Sequence, residues 1–274
     1  MALDFLRETD LSDIQGRIIV IPCLSPEASK AATRLWPNGV NFNRAFPGSP
    51  DGDPSAILAD YMTRVLFPLS DYVIDMHSGG RGMRWEPVSH MHVVDDVQQR
   101  TAMLDGMLAW NTSQHVLYVD IAGSGLLPSE AERQGKIVIT TELGGGGVPT
   151  PDTLRIGRDG LQNVLRSIGA LSGTPVSRAE LGLPPAVVLD ATDPQAYLRA
   201  PESGLYEVFV NPTDVVAKGQ PVGQVHFLER LDREPIVVTS PKDGRVISVQ
   251  GVPTVDQGDC VTVIGVEVDP DSLR

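Results

Sequence analysis

Apolar and polar positions alternate in blocks along the 274-residue chain, and each block predicts an element. Leu3, Phe5 and Leu6 within residues 2–8 predict the tail of a helix. Ile18-Ile19-Val20-Ile21, a continuous β-branched run between Gly16 and Pro22, predicts a buried strand. Over residues 54–69 the spacing predicts a helix. Asp53 is suited to cap it and Pro54 to open its first turn, and Ile57, Leu58, Tyr61, Met62, Val65 and Leu66 fall on one face. Residues 71–76 predict the next buried strand, residues 97–110 a helix and residues 115–119 a strand. A further strand over 136–141 runs into Glu142 and four glycines. A helix follows over 152–170, with Leu154, Leu161, Val164, Leu165, Ile168 and Leu171 spaced for one face. Strands alternating with helices imply an α/β fold around a parallel-type sheet.

The pattern changes after about residue 172. Ser172-Gly-Thr-Pro175 and Gly182-Leu-Pro-Pro185 read as a linker. Beyond it come short valine-rich runs and Gly/Pro turns without helical period, so two units are expected, 1–175 (α/β) and 188–274 (all-β). The second unit repeats itself. Pro201-x-x-Gly204 recurs as Pro241-x-x-Gly244, and the turn at Lys218-Gly219 is matched by one at Gln257-Gly258. Two such half-motifs resemble the biotinyl/lipoyl-type barrel-sandwich. The carriers of that type bear a modified lysine at a hairpin tip, and the tip here, Glu229 to Glu234, has none. The unit therefore reads as structural or gating rather than as a carrier.

Charge narrows the partners. The net charge is −13 and no cluster of Lys/Arg exceeds two residues, which argues against a nucleic-acid partner. No stretch approaches the ~18 apolar residues of a membrane span, and residues 1–11 lack the basic and apolar regions of a signal peptide. Cys23 and Cys260 form no C-x-x-C and no disulfide framework, which suits a reducing, cytoplasmic setting. The expected partner is a small molecule, and a homo-oligomer is compatible with the sequence.

Three constellations carry chemistry. In Asp75-Met-His-Ser-Gly-Gly80, His77 stands where a buried strand meets a glycine-rich loop. It is either a zinc ligand or a satisfied strand-end histidine. In Asn41-Phe-Asn-Arg-Ala-Phe-Pro-Gly48, Arg44 can grip a carboxylate in a bidentate fork beside the Asn43 amide, or the segment is a plain surface loop. Glu142, at a strand end before four glycines, is either a general base in a partly dry cleft or a capping glutamate.

Taken together, Asn-Phe-Asn-Arg-x-Phe-Pro-Gly, Asp-Met-His-Ser-Gly-Gly and Thr-Glu-Leu-Gly-Gly-Gly-Gly resemble the succinylglutamate desuccinylase/aspartoacylase family in order and spacing. The details look closest to its N-acetyl-diaminobutyrate deacetylase branch. The resemblance implies a zinc-carboxypeptidase-like mixed sheet flanked by helices, an appended β unit, and hydrolysis of an N-acyl amino acid such as N-acetyl-diaminobutyrate, N-acetyl-aspartate or succinyl-glutamate. It implies His77 as a zinc ligand and Glu142 as the group that activates water and later protonates the leaving amine. Arg34 would stabilise the oxyanion, and Asn43 and Arg44 would hold the substrate carboxylate. The family's other two zinc ligands come from a His-x-x-Glu that precedes the strand leading to Ile21. The only His-x-x-Glu in these 274 residues, His226-Phe-Leu-Glu229, lies in the β unit far from that position, and the first histidine is His77. The α/β unit is thus expected without its N-terminal strands. Three explanations stay open: a start upstream of Met1, a shortened inactive relative that keeps its β unit as an interaction or oligomerisation module, or substitute ligands. His90 and His92, two apart and so on one face of a strand, are the candidate substitutes.

Overall fold

The computed structural model describes residues 1–120 and 125–274. In the first unit the chain runs through α1 (Ala2–Glu8), α2 (Pro26–Lys30), α3 (Pro54–Tyr61), β1 (Tyr72–His77), β2 (Met83–Trp85), β3 (Val88–His92), α4 (Val97–Ala109), β4 (Gln114–Tyr118), α5 (Leu127–Arg133), β5 (Ile137–Glu142) and α6 (Pro151–Ser167). The second unit contains β6 (Val187–Asp190), β7 (Tyr197–Arg199), β8 (Gly204–Val208), β9 (Val215–Val216), β10 (Pro221–His226), β11 (Ile236–Thr239), β12 (Gly244–Gln250), β13 (Thr254–Val255) and β14 (Cys260–Val268). Among the described residues no helix is long and apolar enough to cross a membrane.

The central sheet is mixed, in the order β1-β5-β3-β4-β6-β14-β12-β2. β1 and β5 are parallel, β3 and β4 are parallel, and β3 meets β5 antiparallel. The mixed sheet that the resemblance implies is observed, and the parallel-type pairing read from the alternation of elements gives way at this joint. A parallel return needs a crossover of roughly a dozen residues or more, and the short link from His77 to Val88 carries only β2, so β3 runs back the other way. Met103, Leu104 and Met107 of α4 pack with Phe46, Phe67 and Val138 in one core, while Trp110, Ile139 and Val164 form another beneath α6.

Ile18–Ile21 joins no strand, and Ile19 and Ile21 are both 44% exposed. A β-branched run takes a ladder only where a neighbouring strand offers one, and none does among the described residues. Ile18 and Val20 still pack against Phe5, Leu165 and Leu171. The 54–69 helix also differs from its reading. Asp53 caps it through Ser55 and Ala56, but the regular helix ends at Tyr61 and widens into a π-turn over Met62–Leu66. Its buried face carries Ser55, Ala59, Asp60 and Met62, whereas Ile57 and Tyr61 lie outward.

The repeat in the second unit appears as a pseudo-symmetric pair of half-motifs. β8 begins at Gly204 and pairs with β13, β12 begins at Gly244 and pairs with β9, and the intervening turns both place glycine at positive φ, +82° at Gly219 and +92° at Gly258. A further sheet, β11-β10-β8-β13, faces β12 and β14 across a valine core that includes Val222, Val225, Val246 and Val261. The ladder is continuous between units. β6 pairs with β4 on one side and β14 on the other, and β2 pairs with β12. Val88 and Val116 accordingly share a core with Ile247 and Val263.

Candidate active site

His77 and Glu142 end two adjacent parallel strands and stand opposite one another in register. The loops that follow are tied together. Leu143 N–H donates to the His77 carbonyl at 2.9 Å, and Gly79 N–H to the Gly144 carbonyl at 3.0 Å. The glycines after Glu142 serve this packing. A Cβ on Gly145 would lie 1.9 Å from the Met83 carbonyl oxygen, so the close approach they permit is to the chain at β2.

A cavity of about 250 Å³ lies above these strand ends, and Arg34, Asn43, Arg44, His77 and Glu142 all line it. Five residues scattered over 109 positions of sequence thus share one wall. Trp85 from β2, and Tyr197 and Val263 from the second unit, line it as well. Sequence reading did not place those three there, because only the pairing of β2 with β12 and β4 with β6 brings the units together. A more open hollow of about 560 Å³ adjoins the cavity and shares Tyr118, Val119 and Asp120 with it, but holds neither His77 nor Glu142. The smaller cavity is where the reactive groups meet.

Within it, His77 Nε2 lies 2.7 Å from Asp75 Oδ2. The Asp75 charge, against the cost of burial, raises the imidazole to about 9. Burial raises the Glu142 carboxyl to about 7, a value suited to exchanging protons near neutrality. Its Oε2 has no hydrogen-bond partner among the described residues. Arg34 exerts its charge on both His77 and Glu142. Asn43 does a structural task that its sequence motif did not announce. Its Oδ1 accepts the Leu127 N–H at 2.7 Å and so anchors the start of α5. Gly125, at φ +99°, lets that segment close on Arg44, whose carbonyl oxygen would lie 2.7 Å from an added Cβ. Among the described residues no carboxylate lies within ion-pair distance of Arg34 or Arg44.

His90 and His92 do not form a metal pair. Tyr118 packs against both rings, 4.5 Å from His90 and 4.0 Å from His92 between centroids. His90 Nδ1 faces Thr140 Oγ1 at 2.9 Å. That hydroxyl already donates to the His90 carbonyl, so Nδ1 carries the proton and Nε2 is left as an unpartnered acceptor. His92 is clamped between carboxylates, with Nδ1 2.7 Å from Glu132 Oε2 and Nε2 2.9 Å from Asp120 Oδ1. Burial opposes its charge, but the two carboxylates outweigh it and raise the imidazole to about 9.

This clamp sets a pH dependence. The folded-state pKa lies above the unfolded value of about 6.5, so the stabilisation is complete below pH ~6.5 and is lost as pH rises through about 9. At ~1.4 kcal/mol per unit this amounts to up to about 3 kcal/mol. The stability advantage of wild type over His92→Gln, measured by urea titration, is expected to shrink between pH 6 and pH 9.5. A constant advantage would show that His92 contributes no proton-linked stability.

A catalytic zinc site takes about three protein ligands. Among the described residues no group of three His, Cys, Asp or Glu side chains converges to hold a metal, and the one donor that the sequence motif supplies, His77, is held protonated by Asp75. The donor set therefore falls short of the zinc that the motifs imply. The 274-residue chain is expected to retain well under one zinc per chain after exposure to zinc and desalting. Stoichiometric zinc by elemental analysis would reveal ligands beyond His77.

Residues 1–168 match the family model described as Succinylglutamate desuccinylase/Aspartoacylase catalytic domain. Over 260 residues the chain is 37% identical to N-alpha-acetyl-L-2,4-diaminobutyric acid deacetylase of Halomonas elongata, covering 94% of this chain and 74% of that protein. The product-bound ectoine utilization protein EutE (DoeB) of Ruegeria pomeroyi superposes with a TM-score of 0.90 at 33% identity, over 97% of this chain and 79% of that one. A succinylglutamate desuccinylase/aspartoacylase from Rhodobacter sphaeroides gives a TM-score of 0.91 at 31% identity, over 98% and 80%.

Proposed function

We propose, from the premise that the chain belongs to the succinylglutamate desuccinylase/aspartoacylase family, that it serves hydrolysis of the amide bond of an N-acyl amino acid, with an N-acetylated diamino acid as its preferred class. The observation that carries this reading is the register pair His77–Glu142, which shares one cavity with Arg34, Asn43 and Arg44.

In this reading Glu142 removes a proton from the attacking water and returns it to the departing amine, since a carboxyl near 7 is competent in both directions. Arg34, whose charge already reaches Glu142 and His77, stabilises the oxyanion that forms on the scissile carbonyl. Arg44 receives the substrate carboxylate, aided by the Asn43 amide nitrogen, since the amide oxygen is engaged by Leu127. His77 would be this chain's one contribution to a zinc site, which would supply Lewis-acid activation of water. The two unpaired cysteines are consistent with a cytoplasmic setting for the reaction.

The test supplies the family's His-x-x-Glu segment ahead of residue 1 and measures acyl release with zinc present. N-acetyl-2,4-diaminobutyrate is expected to be turned over at least ~10-fold more efficiently than N-acetyl-aspartate or succinyl-glutamate, the kind of ratio a site with a matched polar group achieves. Hydrolysis of none of the three by a folded, zinc-loaded protein would sink the reading.

A further inference from the structure

The chemistry proposed above uses Glu142, Arg34, Asn43, Arg44 and His77, but leaves one ionisable carboxylate on the cavity wall without a task, Asp120. Its surroundings hold it in place as an anion. Oδ2 accepts the Ser129 hydroxyl at 2.6 Å, and Oδ1 lies 2.9 Å from His92 Nε2, within ion-pair distance. His92 is fixed from behind by Glu132, which is 91% buried by its surroundings in α5. Ser129 and Glu132 both stand on α5, the helix whose first turn Asn43 anchors. The same contact that sets the loop of Arg44 therefore also sets Asp120.

Counting charges, the Glu132–His92–Asp120 chain holds two carboxylates against one imidazolium, so a net negative charge remains beside the cavity. Arg44 acts on Asp120 through its charge, yet no ion pair joins them among the described residues. The gap between a cation and an anion is what a zwitterionic ligand fills, its carboxylate on one and its ammonium on the other. A second feature points the same way. Glu142 Oε2 and His90 Nε2 are buried acceptors on this cavity that receive no hydrogen bond among the described residues. Buried acceptors are rarely left unmatched, so a ligand that fits here brings N–H donors. An ammonium group brings three, and an amide N–H one more.

We propose that Asp120 is the specificity-determining residue of this cavity, taking the side-chain ammonium of the substrate while Arg44 takes its carboxylate. The inference rests on the hydrolase reading above and narrows it to substrates with a short aliphatic amine. The Glu132–His92 pair and Ser129 act as positioning residues, since they touch Asp120 rather than the ligand.

The experiment is isothermal titration of the 274-residue chain with three ligands: N-acetyl-2,4-diaminobutyrate, N-acetyl-2-aminobutyrate, which lacks only the ammonium, and N-acetyl-aspartate. Wild type is expected to bind the ammonium ligand roughly 10- to 100-fold tighter than the ligand without it, since a site built around a polar group rejects an analogue that lacks it. Asp120→Asn should lose at least ~10-fold for the ammonium ligand, with less than ~3-fold change for N-acetyl-2-aminobutyrate. If Asp120→Asn does not fold, Asp120→Ser, which retains a hydrogen-bonding oxygen, is read in the same way. Unchanged discrimination in the variant would overturn the role of Asp120 and leave the hydrolase reading intact. Equal binding of the two aliphatic ligands by wild type would overturn ammonium recognition altogether. Failure of wild type to bind any of the three would overturn this inference, while the hydrolase reading is decided separately by turnover in the zinc-loaded protein.

Discussion

Replacing Glu142 with glutamine is expected to abolish turnover while leaving ligand binding nearly unchanged. Glutamine has almost the same shape but cannot accept a proton, and proton transfer by a positioned group contributes about 10²–10⁴-fold. Glu142 is suited to that task by burial, which brings its carboxyl to about 7, and by its place opposite His77 in the β1–β5 register. Its effect should therefore fall on kcat and barely on KM. Arg44→Ala should do the reverse, since the carboxylate it would hold is present in both ground and transition state. Its KM should rise, with a smaller fall in kcat from poorer positioning. Steady-state kinetics on N-acetyl-2,4-diaminobutyrate decide the matter in protein supplied with the His-x-x-Glu segment. Near wild-type kcat in Glu142→Gln would mean that another group moves the proton.

Trp110→Ala is expected to cost about 3–5 kcal/mol of stability, the range for removing a buried aromatic side chain. Trp110 is 1% exposed, ends α4, and packs with Ile139 and Val164 directly beneath the strand that carries Glu142. Its indole fits only because residue 160 has no side chain, as a Cβ there would lie 2.2 Å from Nε1. The indole N–H has no partner among the described residues, so part of the loss is offset and the value should fall toward the lower end. Gly160→Ala alone should cost about 1–3 kcal/mol through overpacking, but much less in the Trp110→Ala background, where the clash is gone. Urea denaturation of the four proteins tests this non-additivity. Additive costs would show that the two positions do not share one packing constraint.

Much of the site was legible because its residues sit in short motifs whose chemistry is local. A histidine and a glutamate at strand ends before glycines, and an Asn-Arg pair, are visible without coordinates, and all of them line the cavity. Asp120 was not legible. It carries no motif, and its importance depends on α5 bringing Ser129 and on His92 arriving from β3 with Glu132 behind it. Nor could periodicity show which face of α3 is buried. Of the apolar stripe, Leu58, Met62 and Leu66 reach the core, while Ile57 and Tyr61 lie outward beside the buried Ala59.

By itself the sequence carried the α/β alternation, the short valine-rich β runs with their internal repeat, and the motif residues that line the candidate cavity. These follow from side-chain period, turn chemistry and ionisable groups, which are properties of neighbouring positions. Tertiary structure alone decided that β3 runs against β5, that one sheet joins β4 to β6 and β2 to β12, and that His92 lies between Glu132 and Asp120. Those outcomes depend on which strands find partners and which charges are buried together, and both are set by contacts between residues far apart in the chain.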